Sequence, residues 1–169
     1  MEERAPAGVA AEAGVTAGMV QHYFPSKDAM MQFAMRTASA RYEERVQAQL
    51  AKLGDEPDPR QVITTLLTAL LPERDVERDD GRVALAFEAY AVTHIDAAQY
   101  LEAGNGLLRD HLAQLIQDAV GAYQDPVAAA TGLLAAAEGL GVQMLSSSLP
   151  SRQAHDALAH LIGRVLDTA

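Results

Sequence analysis

The sequence contains no cysteine, which excludes disulfides, thiolate metal sites and a cysteine nucleophile. Aromatic residues make up only 5% of the chain, and β-branched residues seldom alternate with polar ones, so close-packed helices are favoured over strands. The sequence also lacks an uninterrupted apolar stretch long enough to span a membrane and a charged-then-apolar leader. We therefore expect an all-α protein of the cytoplasm with no membrane partner.

The charge of the chain is unevenly distributed. With 23 acidic and 13 basic residues the formal net charge is -10, which argues against a nucleic-acid partner if it is spread evenly. Residues 46–169 hold 17 acids against 8 bases, whereas between residues 13 and 41 the only acid is Asp28, against Lys27, Arg36 and Arg41. The acidity therefore belongs to the larger C-terminal part, and the N-terminal segment is mildly basic.

The most informative stretch is residues 15–27, which begins with the signals of one helix ending and another starting. Gly14 can adopt the positive φ at which a helix stops, and the Thr16 hydroxyl can cap the helix that follows. Val15 and Val20 are spaced to form a hydrophobic staple across this cap. The preceding helix is short and is predicted from the apolar or small residues Val9, Ala10 and Ala13.

The same stretch also predicts where the second helix ends. Pro25 pushes Phe24 out of the α region, and Ser26 can cap the next helix. Two helices joined by a short turn that contains glycine form a helix-turn-helix unit. In such units the second helix enters the DNA major groove with its N-terminal residues first.

A long helix is predicted after Ser26, ending at Gly54. Its apolar or small residues follow one another in steps of three and four, at Met31, Met35, Ala38, Tyr42, Val46, Leu50 and Leu53. Such a helix can connect the N-terminal unit to a separate body.

The body is predicted to consist of further helices separated by proline and charged breaks. We expect the charged run 73–82 to be a loop or a solvated helix start, and the next helix to be buried because it is apolar nearly all round. The Gly104-Asn105-Gly106 segment is expected to lie inside one continuous helix, although each glycine weakens it. The helices are predicted over residues 59–71, 83–95, 97–123 and 126–147 and from residue 150 onward.

Residues 10–29 read AAEAGVTAGMVQHYFPSKDA and closely resemble the helix-turn-helix signature of the TetR family of bacterial transcriptional regulators. The resemblance implies a helix-turn-helix DNA-binding module with the start of the connecting helix in residues 1–45, and a helical ligand-binding and dimerisation domain in residues 46–169. It also implies a homodimer that binds a palindromic operator in double-stranded DNA, usually as a repressor, and is released by a small-molecule inducer.

The resemblance implies DNA contacts for seven residues: Thr16, Ala17 and Gly18 near phosphate, Gln21 and His22 toward the groove, and Tyr23 and Lys27 on the DNA backbone. These roles agree with the chemistry of the groups. A helix N-terminus offers free N–H groups to phosphate, and glutamine can pair with adenine through two hydrogen bonds. Tyrosine and lysine fix the register on the backbone without reading sequence.

The sequence departs from the common family pattern in two positions and in its N-terminal segment. Ala17 stands where lysine or arginine is frequent, and Gln21 stands where tyrosine is frequent, so operator preference cannot be transferred from relatives. Residues 1–8 show no helical period, so we expect that the helix which usually braces such a unit is missing from this sequence; the alternative is that this segment packs in some other way.

For the inducer, we expect a pocket among large or polar residues on otherwise apolar central helices. The candidates are Phe87, Tyr90, His94, Tyr100 and Met144. The alternative for each is an ordinary core position whose polar tip is satisfied.

For the homodimer, we expect the helix over 126–147 and the last helix to pair with their copies in a four-helix bundle. The candidate contacts are Leu134, Ala137, Gly141, Leu145, Leu158, Leu161, Ile162 and Val165. The alternative is that these faces pack only within the subunit.

No catalytic or metal-binding pattern emerges from the sequence. His94, His111, His155 and His160 lack the spacings of helical metal sites, and the paired glycines match no nucleotide-binding loop. We therefore expect no enzymatic activity, no metal and no cofactor. The alternative to a DNA-binding regulator is a helical small-molecule-binding protein that does not bind DNA.

Overall fold

The fold is all-α, as the composition predicts. The computed structural model describes Ala11, Gly14 and residues 16–167, apart from the side chain of Ala17, and no strand occurs among them. The predicted helix over residues 9–13 and the Val15 staple lie outside the described residues. The described part contains seven helices: α1 (Ala17–Tyr23), α2 (Lys27–Leu50), α3 (Pro59–Thr68), α4 (Asp75–Ala91), α5 (Ile95–Val120), α6 (Pro126–Ser146) and α7 (Ser151–Leu166).

The boundaries of the short helix α1 follow the predicted signals. Gly14 has a φ of 64°, and the Thr16 hydroxyl accepts a hydrogen bond of 3.3 Å from the amide three residues later. Phe24 adopts an extended conformation before Pro25, and the Ser26 hydroxyl caps α2 by a hydrogen bond of 3.1 Å. The predicted turn, both caps and the end before the proline are confirmed.

The long helix α2 runs along the body and is not isolated from it. It has 24 residues, which at ~1.5 Å per residue gives a length of about 36 Å. Val46 is buried in the body, and the Tyr42 hydroxyl donates a hydrogen bond of 3.0 Å to the Leu66 carbonyl at the end of α3. Burial of this phenol raises the pKa of Tyr42 to about 12. The C-terminal half of α2 is therefore anchored to the body.

Two apolar clusters form the core. The larger cluster lies among α3, α5, α6 and α7 and is centred on fully buried residues such as Ile63, Leu112 and Leu158. The smaller cluster lies among α2, α4 and α5 and is centred on Phe87. Each fully buried large apolar side chain contributes roughly 1.5–3 kcal/mol. The smaller cluster joins the first half of α2 to the body through these side chains: Met31, Met35, Phe87, Tyr90, Ala91, Ala97, Ala98, Tyr100 and Leu101.

Helix α4 begins earlier than the predicted residue 83. It begins at Asp75, so the charged run is a helix start, one of the two predicted alternatives, and most of its charged side chains are exposed; Asp80, only 5% exposed, is the exception. The Glu77 carboxylate accepts a hydrogen bond of 2.9 Å from the Arg74 amide and so caps the helix. Burial raises the pKa of Glu77, but hydrogen bonds from Arg74 and Glu73 outweigh it and lower the pKa overall.

The other half of α4 also corrects the prediction. The helix ends at Ala91, and it is not buried all round, because Leu85 is 37% exposed and Val92 just after its end is 83% exposed. Small alanines on its outer side carry the apolar pattern without being covered. The continuous helix predicted through Gly104 and Gly106 is confirmed as α5.

Helix α6 is long and apolar enough to cross a membrane when judged by length and composition alone. It packs against both α5 and α7, and its Ala130, Leu133 and Ala137 lie in the larger cluster. These contacts are those of a core helix.

Candidate nucleic-acid interface

Helix α1 exposes three consecutive polar side chains. Val20 is 7% exposed and anchors the helix, whereas Gln21, His22 and Tyr23 are exposed, Tyr23 by 72%. The His22 and Tyr23 rings meet edge to face with centroids 5.6 Å apart. The exposed surface of α1 therefore carries a carboxamide, an imidazole and a phenol, the last two in contact.

The N-terminus of α1 is open as well. Thr16 and Gly18 are exposed, and the Ala17 side chain lies outside the described residues. Amides in the first turn of a helix lack intrahelical partners, and the macrodipole makes this end positive. The end of α1 therefore suits an anionic group such as phosphate.

The start of α2 contacts the C-terminal end of α4. The Lys27 ammonium lies 5.5 Å from the centroid of the Tyr90 ring, and the Tyr90 hydroxyl donates a hydrogen bond to Asp28 Oδ1. This hydrogen bond, together with desolvation and the Asp28 charge, raises the pKa of Tyr90 to about 12. The helix that follows α1 is thus fastened to the body beside a candidate DNA-contacting lysine.

Four of the five predicted pocket residues lie near one another. Phe87 is fully buried, and the ring centroids of Tyr100 and Tyr90 lie 5.7 Å and 6.4 Å from its own. His94 stacks on Tyr90 with centroids 3.6 Å apart but is exposed. Met144 is buried in the larger cluster and stands apart from the others. The contact of Tyr90 with the start of α2 has no signal in the sequence, because the partners are 62 residues apart.

The predicted dimer contacts divide into three groups. Five of them are buried within the subunit: Leu134, Ala137, Gly141, Leu158 and Ile162. Leu145 is half-buried near Gly81 of α4. Leu161 and Val165 line an open groove of about 750 Å³ beside α6 and α7, and Leu161 is 39% exposed. Only this groove side of the α6–α7 pair is accessible to a partner through these residues.

A Ser–His–Glu group at the start of α7 does not have the geometry of a nucleophilic triad. Ser151 Oγ donates to Glu73, and His155 Nδ1 lies 3.7 Å from the same carboxylate and 3.0 Å from the Ser151 carbonyl. A triad requires the histidine to accept the serine proton on one ring nitrogen and to hold the carboxylate with the other. Within residues 16–167 no group of three His, Asp or Glu side chains is placed to hold a metal ion.

Sequence comparison places this chain among transcriptional regulators. The family described as "BetI-type transcriptional repressor, C-terminal" matches residues 59–167. The HTH-type transcriptional regulator BetI of Stenotrophomonas maltophilia (strain R551-3) is 29% identical over 140 residues, which cover 83% of this chain and 70% of that protein. The HTH-type transcriptional regulator PksA of Bacillus subtilis (strain 168) is 26% identical over 91 residues, 54% of this chain and 43% of that protein.

Solved structures agree with the sequence comparison. A transcriptional regulator from Rhodococcus sp. Rha1 superposes with a TM-score of 0.83 at 28% identity, covering 96% of this chain and 85% of that one. A putative TetR-family transcriptional regulator from Rhodococcus sp. has the same fold, with a TM-score of 0.83 at 20% identity over 95% of this chain and 87% of the other. These relatives are named as regulators and not as enzymes. The chain belongs to the TetR family of transcriptional regulators, and its residues 59–167 match the BetI-type C-terminal domain.

Proposed function

We propose that the protein is a ligand-responsive repressor that binds a palindromic operator as a homodimer, with α1 as its recognition helix. The observation that carries this proposal is the exposure of Gln21, His22 and Tyr23 on α1, while Val20 is buried and anchors the helix. Residues 1–45 form the DNA-binding module in this proposal, and residues 46–169 form the domain that binds ligand and dimerises.

The roles of the DNA-contacting residues follow from their positions. Thr16, Ala17 and Gly18 stand at the helix N-terminus, where amide N–H groups donate hydrogen bonds to phosphate oxygens. Gln21 and His22 read base edges, glutamine by pairing with adenine. Tyr23 and Lys27 hold the DNA backbone and fix the register without reading sequence.

The inducer site in this proposal is the aromatic cluster of Phe87, Tyr90 and Tyr100, with His94 at its edge. A ligand that separates these rings displaces Tyr90 from Lys27 and Asp28. Such a ligand favours a state in which the recognition helix is displaced, and by reciprocity operator DNA weakens ligand binding by the same factor. Met144 is not part of this site because it lies in the other cluster.

The homodimer in this proposal forms through the accessible side of α6 and α7, which carries Leu161, Val165 and the groove beside them. An isologous contact of this kind places the same surface of each subunit across a two-fold axis. Leu161→Asp is expected to yield monomers in analytical ultracentrifugation at concentrations where the wild-type protein is a dimer. A monomeric wild-type protein would refute the homodimer directly.

The DNA-binding role is tested by fluorescence anisotropy of the full-length protein with the DNA upstream of its own gene and with random duplex, at physiological salt. We expect clear preference for the upstream DNA. Gln21→Ala is expected to change sequence preference, because it removes a base contact. Binding of both duplexes with equal affinity would refute the proposal and leave the small-molecule-binding alternative.

Lysine variants provide a matched control for the phosphate contact. Lys27→Ala should weaken all duplexes alike and lower the slope of log K against log salt by about 2 per dimer, since each phosphate contact contributes ~0.9. Lys52→Ala removes the same charge from the exposed residue beyond the other end of α2 and should leave the slope unchanged. Equal salt slopes for the two variants would show that Lys27 does not contact phosphate.

A further inference from the structure

The middle of α2 is held by one buried carboxylate of α4. Asp80 is 5% exposed, and each of its oxygens accepts one hydrogen bond of 2.9 Å, from Arg41 Nη1 and from Arg45 Nη1. The Arg45 side chain is only 16% exposed, and its Nε lies 4.0 Å from Glu77 of the same α4 turn. Two arginines of α2 therefore converge on the first two turns of α4.

The opposite side of the same α4 turns holds the end of α6. Both terminal nitrogens of Arg78 donate to the Met144 carbonyl, at 3.2 and 3.4 Å. This carbonyl lies in the last turn of α6, where helix carbonyls lack intrahelical partners. A Cβ placed on Gly81 would lie 3.0 Å from Leu145 Cδ1, so α4 and α6 approach closely here. Helix α4 therefore contacts α2 through Asp80 and α6 through Arg78.

We propose that Asp80 is a positioning residue for operator binding, which fixes α2, and with it the recognition helix, at a set place relative to the dimerisation helix α6. The inference rests on the proposed function, since the distance between two recognition helices matters only in a DNA-binding dimer. Half-sites of a palindrome are read one helical turn apart or a multiple of it. Asp80 holds the two copies of α1 at the spacing of the operator.

The chemistry of a buried ion pair suits this role better than a stabilising one. The desolvation of buried charges offsets much of their mutual attraction, and proteins with apolar side chains in their place are often as stable. The role that remains for such a pair is to fix the relative position of the two helices. Two arginines, each donating one hydrogen bond to a different oxygen of the same carboxylate, restrict both the sliding and the rotation of α2. An apolar contact in the same place would permit either motion at little cost.

Asp80→Asn is the test variant, and Asp79→Asn is its matched control. Both remove one negative charge from adjacent positions of α4, but Asp79 is exposed and pairs at 2.7 Å with Arg82 of its own helix. Asp79 therefore has no part in holding α2. Both variants are studied as full-length protein under conditions where circular dichroism shows them folded.

The first readout requires neither DNA nor a dimer. The chain lacks cysteine, so spin labels at Arg36→Cys of α2 and Thr131→Cys of α6 are unique, and excess unlabelled protein isolates the distance within one subunit. We expect one narrow distance distribution for the unsubstituted background and for Asp79→Asn. We expect loss of that single narrow maximum for Asp80→Asn. An unchanged distribution in folded Asp80→Asn overturns the inference whatever the DNA results are.

The second readout is operator affinity as the half-site spacing is lengthened or shortened by one base pair. We expect Asp80→Asn to lower the ratio of affinities for the best and the altered spacing at least about fivefold, a typical coupling between sites, and Asp79→Asn to keep it. A uniform loss of affinity at every spacing would overturn the inference. Absence of any operator preference in the wild-type protein is instead a failure of the proposed function.

If Asp80→Asn does not fold, Arg41→Gln decides the question. Arg41 is half exposed, with 52% of its side chain accessible, and its loss leaves the pair of Arg45 with Asp80 intact. We expect Arg41→Gln to fold and to broaden the distance distribution and the spacing preference. Wild-type behaviour of this variant in both readouts overturns the inference.

Discussion

Gly141 of α6 offers a sharp test of how closely the helices of the body pack. A Cβ added at this position would lie 3.0 Å from the Leu70 carbonyl oxygen and 3.6 Å from the Pro72 ring. The oxygen belongs to the backbone that links α3 to α4, where Leu71 and Pro72 are buried and cannot yield. Gly141→Ala therefore adds a methyl group to a filled space.

The expected magnitude follows from comparison with Gly104 of α5, where an added Cβ meets nothing within 4 Å. Alanine gains about 1 kcal/mol over glycine inside a helix at either site. Overpacking costs about 1–3 kcal/mol at Gly141 alone. The free energies of unfolding of Gly104→Ala and Gly141→Ala should therefore differ by about 1–3 kcal/mol, a Tm difference of roughly 2–12 °C for a chain of this size.

The assay is urea and thermal unfolding of both variants at one protein concentration, because the unfolding of the proposed dimer would depend on concentration. Gly81→Ala serves as an intermediate case. Its added Cβ would lie 3.0 Å from Leu145 Cδ1, the end of a side chain that can rotate away. Its stability should therefore lie nearer that of Gly104→Ala. A Gly141→Ala variant as stable as Gly104→Ala would refute the argument that the Leu70 carbonyl fixes this approach.

Three further predictions concern titration, the contact of Tyr90 with the start of α2, and the cap of α1. Burial raises the pKa of both Glu88 and Glu138, and the Glu88 charge raises the pKa of Glu138 further. The stability that these two protonated carboxyl groups contribute is therefore present below the ordinary glutamate pKa of 4.5 and is lost as the pH rises through the raised pKa values. Glu138→Gln should stabilise the protein at neutral pH with a difference that vanishes in acid, and a pH-independent difference in urea unfolding would contradict this. Tyr90→Phe keeps the ring but loses the hydrogen bond to Asp28, so operator affinity should fall. The Tm of the protein should change by no more than a few tenths of the change that a core substitution causes. An unchanged affinity in anisotropy titrations would show that this contact does not serve DNA binding. Thr16→Ala removes the cap of α1 and about 1 kcal/mol of local helix stability, so DNA affinity should fall several-fold, and Thr16→Ser should restore it; failure of serine to restore it would contradict the cap as the cause.

Local signals predict the bounds and caps of α1 residue by residue. The cap, the glycine turn and the proline stop act on neighbours within four positions, so Gly14, Thr16 and Ser26 could be assigned from spacing alone. The caps of α6 at Asp125 and of α3 at Asp58 follow the same rule. Whatever depends only on adjacent residues is readable in this chain.

Long-range pairing was not readable in the same way. The charged run that opens α4 has no apolar period, and nothing near Asp80 indicates that it faces arginines 35 and 39 residues earlier in the chain. The apolar stripes of α6 and α7 likewise do not identify the residues that cover them. A stripe shows that Leu134 or Leu158 is covered but not whether its own subunit or a partner covers it, and here the subunit does.

Tyr90 and Arg78 stand at opposite ends of α4, and this separation turns a small rotation into a large displacement. The two residues are 12 positions apart, about 18 Å along the helix. Because Tyr90 is fastened to the start of α2, any tilt of α4 about the place where Arg78 meets α6 would carry the start of α2 with it. A swing of about 10° moves Lys27 by about 3 Å, close to the ~3.4 Å rise of one base pair. In the proposed dimer, a tilt of this size would shift each copy of α1 by about one base-pair step relative to its half-site.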